Sequence, residues 1–293
     1  MRILLLTQAF NGLAQRLYVE LTGRGHTVSV EFDIHEDVTR EAVELFRPDL
    51  LIAPYLKRAI PEDVWRRLPC LIVHPGIRGD RGPSALDWAI LGHESEWGVT
   101  LLQANAEMDA GDVWASVEFD LREASKGSLY RNEVTEAAVA AIRASLERMQ
   151  RGEEPSPLRS LAGARGTLRP LMRQTDRAIN WQIDSTDLIL RKLRAADGTP
   201  GLADDIRGLR VHCYDAHPED TLHGAPGELI AQRDGAICRA TRDGALWITH
   251  LKNPQDTGRP FKLPAAMVLG ERLQDVPTAS LSVDAPVAAR TWR

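Results

Sequence analysis

The sequence predicts an α/β fold, a doubly wound sheet built from βαβ units, followed by a smaller unit of short strands closed as a barrel. Three observations carry this. A strand, a helix and a second strand fall within the first 32 residues. That alternation repeats as far as His74. After residue 178 the pattern changes to short strands divided by turn signals such as Arg233-Asp234-Gly235 and Arg242-Asp243-Gly244.

Arg2 to Thr7 (RILLLT) is a continuous apolar run bounded by a polar turn, the pattern of a strand buried on both faces. Leu13, Leu17 and Leu21 recur at helical spacing until Gly23 and Gly25 stop the helix. Val28 to Phe32 is the second strand, reached by a right-handed crossover. Short helices over Glu41 to Phe46 and Glu62 to Arg67 then alternate with strands over Asp49 to Tyr55 and Cys70 to His74. Ser84 to Leu91 has helical spacing, Gly98 to Gln103 and Asp112 to Leu121 read as strands, and Leu129 to Met149 is the longest amphipathic helix. Residues 151–178, rich in Arg, Gly and Pro, read as a linker, so the first domain with its linker spans 1–178. Residues 179–275 hold a helix over Asp184 to Ala196 and strands over Leu209 to Ala216, Gly227 to Gln232, Ala236 to Thr241 and Ala245 to Leu251. Residues 276–293 read as a weakly ordered tail.

The chain has 293 residues, 43% hydrophobic and 26% charged, which is ordinary globular usage and sets aside collagen, coiled coil and wholesale disorder. Thirty-six Lys and Arg against 41 Asp and Glu give a net charge of -5, so nucleic acid is not an expected partner. Arg165, Arg169, Arg173 and Arg177 recur every four residues, yet Pro170 interrupts any helix that would align them. The three cysteines form no CxxC pair, which argues against a structural zinc or a disulfide framework and for a reducing, cytoplasmic setting. No apolar run approaches the length of a membrane span, and neither a metal nor a membrane is expected.

A dinucleotide site needs three glycines in the turn after the first strand. Gln8 to Ala14 offers only Gly12. Walker A, GxSxG and HExxH sequences are absent as well. The chemistry-bearing stretch is the one after Val73. His74 leaves the carboxyl end of a buried strand, a Gly- and Pro-rich loop follows, and 35 residues later Asp109 sits in a Met-Asp-Ala-Gly turn. Ligand crevices of open α/β sheets lie at the carboxyl ends of the strands, so both side chains can face one. Position alone equally allows a core histidine and a turn-forming aspartate.

Ile72-Val73-His74, the Arg78 to Gly82 loop, Trp88-Ala89-Ile90 and Met108-Asp109-Ala110-Gly111 together resemble the 10-formyltetrahydrofolate-dependent formyltransferase family. Further along, DRAINWQIDSTDLILRKLRAADGTPG and GELIAQRDGAICRATRDGALWITHLK are similar to that family's linker helix and C-terminal barrel. The resemblance implies a Rossmann-like formyltransferase domain followed by an OB-like β-barrel domain, with 10-formyltetrahydrofolate as the one-carbon substrate. Within the family, HPGIRGDRGPSALDWAI, APYLKRAIPEDVW and KGSLYR are most similar to the front part of the HypX group, which serves nickel-iron hydrogenase maturation. That likeness implies that the formyl group becomes the carbon monoxide ligand of the hydrogenase. It also implies as partners an enoyl-CoA hydratase-like domain, which would begin near Arg293 and bring coenzyme A, or other hydrogenase maturation proteins.

The resemblance further implies that His74 gives a hydrogen bond or proton to the formyl oxygen or the departing folate nitrogen, and that Asp109 orients it. The family's Asn is here Ile72, two residues before His74 and hence on the same strand face. An amide there would donate to the oxyanion of a tetrahedral intermediate. A sec-butyl group cannot, and loss of such a donor costs about a hundred- to a thousandfold in rate. Transfer to an amine is therefore the second reading, and a folate-binding module without chemistry the third. By the same resemblance Asn105, Ala106, Glu107 and Met108 supply backbone contacts to the pterin, with Leu101 and Val99 as apolar walls. Gln8 and Asn11 sit at the crevice edge, where turn chemistry is the alternative, and Arg131 is a candidate partner for an anion or carbonyl.

Overall fold

The structure, a computed structural model, describes residues 1–158 and 163–279, so most of the stretch read as a tail lies outside the described residues. It divides into two compact units, Met1–Asp176 and a second from Arg177 onward.

The first unit is a six-stranded sheet: β1 (Arg2–Thr7), β2 (Thr27–Phe32), β3 (Leu50–Tyr55), β4 (Cys70–His74), β5 (Glu96–Gln103) and β6 (Val113–Asp120). The order is β2-β1-β3-β4-β5-β6. The first four strands are parallel, as the βαβ alternation predicts. β5 and β6 run antiparallel, which makes the sheet mixed. A parallel return needs a dozen or more residues, and the loop 104–112 between β5 and β6 is too short for one. Ile3, Leu4, Leu5 and Leu6 are all at most 1% exposed, which is why β1 is apolar without alternation.

Helix α1 (Gly12–Gly23) buries Leu13, Ala14, Leu17 and Leu21 and packs against α6 (Thr135–Gln150). The small residues Ala137, Ala138, Ala141 and Ser145 let α6 settle onto β5 and β6. Between them in sequence lie α2 (Glu36–Phe46), α3 (Glu62–Trp65), α4 (Ala85–Gly92), α5 (Lys126–Leu129) and a π-helical turn at Tyr130–Val134. Helix α2 begins five residues earlier than its apolar spacing suggests, because His35 caps it by accepting from the Asp37 amide.

The stretch read as a linker belongs largely to the first unit. Ser156 exchanges backbone hydrogen bonds with Val113, and residues 165–172 form a strap along the loop after β4. The amides of Arg165 and Gly166 donate to Arg78 O, Arg169 N donates to Arg81 O, Met172 N to Ser84 Oγ, and the Trp88 indole to Pro170 O. The four arginines make no helical stripe. Arg165 pairs with Glu118 at 2.8 Å and Arg169 approaches Glu94 at 3.8 Å, both acidic residues of the same unit.

The second unit holds α7 (Thr186–Ala195), β7 (Leu202–Ile206), β8 (Leu209–Glu219), β9 (Leu229–Arg233), β10 (Ala236–Ala240), β11 (Ala245–Lys252), β12 (Leu263–Pro264) and α8 (Ala265–Leu269). The strands named here pair antiparallel, in the order β7-β8-β11-β10-β9 with β12 on β11. The expected closed barrel is not confirmed: among the described residues no pairing joins β7 to β9. The outer edge of β9 is taken instead by the chain after α8, through Gln232 N to Pro277 O and Ala279 N to Gln232 O. Residues 276–279 are therefore built into the unit rather than part of a loose tail, and Val276 is 4% exposed in its core. Ile189, Leu190 and Leu193 of α7 pack there against Leu202, Ile206, Leu246 and Ile248. The strand β7 escapes the sequence reading because Asp204 and Asp205 break its apolar pattern. Asp204, half-buried, meets the Arg239 guanidinium at 2.8 Å and the Trp181 indole at 3.1 Å.

One carboxylate of this unit predicts its acid sensitivity. Burial raises the pKa of Glu219, but hydrogen bonds from Thr221, the Trp247 indole and the Leu222 amide outweigh that and hold it at about 2. A depressed folded-state value means stability present above the unfolded pKa and lost as pH falls through about 2. In melting curves between pH 6 and pH 2, the parent protein is expected to lose more stability than Glu219→Gln, and equal slopes would contradict the assignment.

Candidate active site

Strand β4 delivers His74 to the carboxyl end of the sheet, where it is 3% exposed. The loop after β4 then folds back on itself through Asp80 N to Ile77 O and brings Asp80 over the ring. Asp80 Oδ2 lies 3.0 Å from His74 Nε2, and Asp109 Oδ2 lies 3.5 Å from Nδ1. The imidazole is thus held between two carboxylates, one fully buried and one with a side chain 12% exposed.

The surroundings explain how this clamp is built. Gly76 lies beneath it, and a Cβ there would stand 2.3 Å from His74 Nε2 and 2.7 Å from Asp80 Oδ2. Trp97 Nε1 donates to Pro75 O and Thr100 Oγ1 to Gly76 O, so β5 fixes the start of the loop. Asp109 has φ +51°, in the left-handed region that aspartate tolerates in turns, and its Oδ2 accepts from Gly82 N at 3.0 Å. Arg81 donates from Nε to Met108 O and approaches Glu107 at 3.3 Å. The two loops named by the sequence motifs, 76–82 and 105–111, are thereby latched together from both sides.

The structure places Asp109 Oδ2 within 3.5 Å of the His74 ring. Ile72 lies on the same face as His74: its register partner is Leu102, and that of His74 is Thr100. Ile72 is half-buried and packs against the apolar cluster that includes Leu51, Ala53 and Ala104. Leu101 pairs with Val73, so Leu101 and Val99 lie on the face of the sheet opposite His74 and are fully buried there. Asn105, Ala106, Glu107 and Met108 form the exposed loop before Asp109, with Asn105 Oδ1 accepting from Glu107 N in a local turn. The side chain of Asn11 caps α1 by accepting from Ala14 N, the turn chemistry that is the alternative to a place in the cleft. Gln8 stands at the carboxyl end of β1, its amide on Tyr55 O, and Arg131 is exposed on the π-helical turn. Asp80 is the residue the sequence reading missed.

Among the described residues there is no cluster of three or more metal-ligating side chains, and no helix is long and apolar enough to cross a membrane. The arrangement holds an imidazole in a fixed orientation at the carboxyl end of an interior strand, with the apolar side chain of Ile72 on the same face.

A mixed α/β sheet unit carrying this histidine and aspartate, followed by an antiparallel unit, is the build of a formyl transferase. Residues 29–145 match the formyl transferase family and residues 171–258 its C-terminal domain, and the chain belongs to that family. It is 53% identical over 278 residues to the hydrogenase maturation factor HoxX of Bradyrhizobium diazoefficiens, covering 94% of this chain and 49% of that protein. The crystal structure of HypX from Aquifex aeolicus in complex with tetrahydrofolic acid superposes with a TM-score of 0.91 at 49% identity, over 100% of this chain and 51% of that one. A methionyl-tRNA formyltransferase of Desulfotalea psychrophila is 26% identical, over 82% of this chain and 74% of its own. The chain therefore spans about half the length of its HoxX and HypX relatives.

Proposed function

We propose that this chain binds 10-formyltetrahydrofolate and activates its formyl group as the one-carbon step of hydrogenase maturation. The observation that carries the reading is the match along the whole chain to a HypX structure holding tetrahydrofolic acid. The clamped His74 is consistent with it. In this reading His74 donates to the formyl oxygen or the departing nitrogen, and Asp109 keeps ring and loop in register. Ile72 excludes water from the formyl group, which strengthens the remaining polar contacts. The exposed loop 105–108 and Gln8 line the folate cleft, with Arg131 reaching an anionic part of the ligand. The partners are a coenzyme A-binding, enoyl-CoA hydratase-like domain or other hydrogenase maturation proteins, in a cytoplasmic setting.

Incubation with 10-formyltetrahydrofolate, following free tetrahydrofolate, formate and carbon monoxide, tests this. Release of tetrahydrofolate without an amine acceptor supports the reading. Turnover that depends on an added amine would replace it with amine formylation, and binding without turnover with a folate-carrying module. Ile72→Asn restores an amide donor on the face of His74 and is expected to raise transfer to an added amine by at least about tenfold. An unchanged rate would mean that Ile72 does not set the acceptor.

A further inference from the structure

The carboxylate that the family motif does not name has the tighter hold on the histidine. We infer that Asp80 is the positioning residue of the active site: it binds the Nε2 proton of His74 and so fixes the ring's orientation and tautomer, while Asp109 serves chiefly as the latch between the two loops. The inference rests on the proposed role of His74 for its kinetic consequence, and on geometry alone for the contact itself.

Four observations point the same way. The Asp80 to His74 distance, 3.0 Å, is that of an ordinary hydrogen bond, whereas Asp109 stands at 3.5 Å, the outer limit of one. Asp109 Oδ2 has another donor, the Gly82 amide at 3.0 Å. Asp80 has no comparable second occupation. Its side chain is fully buried, its Oδ1 has no hydrogen-bond partner among the described residues, and Oδ2 meets His74. Burying a carboxylate is costly unless it is hydrogen-bonded, so a fold that merely needed a turn at position 80 would not bury an acid there. Finally, the backbone on both sides is shaped for the contact. Gly76 leaves room beneath the pair, and Gly166 of the strap lies so close that a Cβ on it would stand 1.7 Å from Asp80 N. The strap thus lies directly against the backbone of Asp80.

A carboxylate acceptor at Nε2 requires the proton there, so Nε2 is the fixed nitrogen. Nδ1 is then the nitrogen that faces Asp109 and a reacting group, and it donates there only when the ring carries a second proton. A serine-protease aspartate acts on its histidine in the same indirect way. Its replacement by Asn leaves the geometry intact but selects the wrong tautomer, with a loss of about ten-thousandfold in kcat.

The experiment uses the full chain with isotope-labelled histidine. Without any folate, the His74 ring nitrogens are read by NMR in the parent, Asp80→Asn and Asp109→Asn proteins. Asp80→Asn is expected to move the Nε2 signal toward the unprotonated range, because the amide can donate to Nε2, and Asp109→Asn to leave Nε2 in place. With 10-formyltetrahydrofolate, Asp80→Asn is expected to lower kcat by about a hundredfold or more while KM stays within about threefold. An unmoved Nε2 signal overturns the inference whatever the substrate proves to be. A loss confined to KM, or a rate within threefold of the parent, overturns the kinetic role. If the parent itself does not turn over the folate, the proposed function fails, and the NMR arm still decides whether Asp80 fixes the ring.

Discussion

Replacing His74 by alanine is expected to lower turnover of 10-formyltetrahydrofolate by about a thousandfold while leaving tetrahydrofolate affinity within a few-fold of the parent. General acid catalysis by a positioned imidazole contributes about a hundred- to ten-thousandfold, and a preorganised donor to a developing oxyanion a similar amount. With Ile72 in place of an amide donor, His74 is the one polar side chain that β4 brings to this edge, so no neighbour on that strand shares the load. The same substitution also tests the clamp. Without His74 the buried Asp80 carboxylate has no donor among the described residues, and losing one partner of a buried pair costs about 3 to 5 kcal/mol. The double variant His74→Ala/Asp80→Ala is therefore expected to melt at a higher temperature than His74→Ala while remaining just as inactive. Urea unfolding and single-turnover assays on the same samples separate the two effects. Parental turnover by His74→Ala would remove the histidine from the mechanism, and equal stability of single and double variants would remove Asp80 from the clamp.

What was legible in the sequence follows from how each signal is encoded. The first strands and helices show because their apolar residues recur locally: RILLLT is buried on both faces, and Leu13, Leu17 and Leu21 share one helix face. His74 and Asp109 show because their neighbours carry a family pattern, although 35 residues separate them. Asp80 does not show. Within GIRGDRGP an acid between glycines looks like any turn residue, and only the fold-back of the loop sets it against Nε2. The face of Leu101 was hidden for a related reason. Two strands known only as apolar runs have no relative phase, and it is the pairing of His74 with Thr100 that turns Leu101 away. Asn11 illustrates competition between readings, since a polar residue just after a strand at a crevice is also a residue just before a helix, and the cap takes its side chain. The strap 165–172 and the open second sheet depend on pairings between segments far apart in sequence. Arginine-rich coil carries no periodicity that would announce a partner, and β9 is covered by residues 277–279 chiefly through backbone hydrogen bonds, which no side-chain pattern encodes.

Gly76→Ala is expected to reduce turnover by about a hundredfold or more while leaving the sheet intact, because its added methyl group strikes the clamp and little else. Gly76 does not have a positive φ, so alanine is tolerated by the backbone. The obstruction is the pair itself, with His74 Nε2 at 2.3 Å and Asp80 Oδ2 at 2.7 Å from the new Cβ. Neither can yield cheaply. The ring is 3% exposed and flanked by Asp109, and the strap closes over Asp80 from the other side. A displacement of the order of 1 Å must result, and misplacing a catalytic group by that much costs on the order of a hundredfold. Gly23→Ala provides the comparison: it lies at the end of α1 with nothing within 4 Å of its Cβ, and it is expected to keep parental turnover with equal or slightly higher stability. If Gly76→Ala turned over the folate at the parental rate with the His74 Nε2 signal unmoved, the space beneath the clamp would be incidental. If it lost activity through unfolding alone, its melting temperature would fall in step with the rate. The expected outcome is instead a folded protein whose Nε2 signal has moved, so that one methyl group, placed where no ligand need touch it, uncouples the histidine from the carboxylate that orients it.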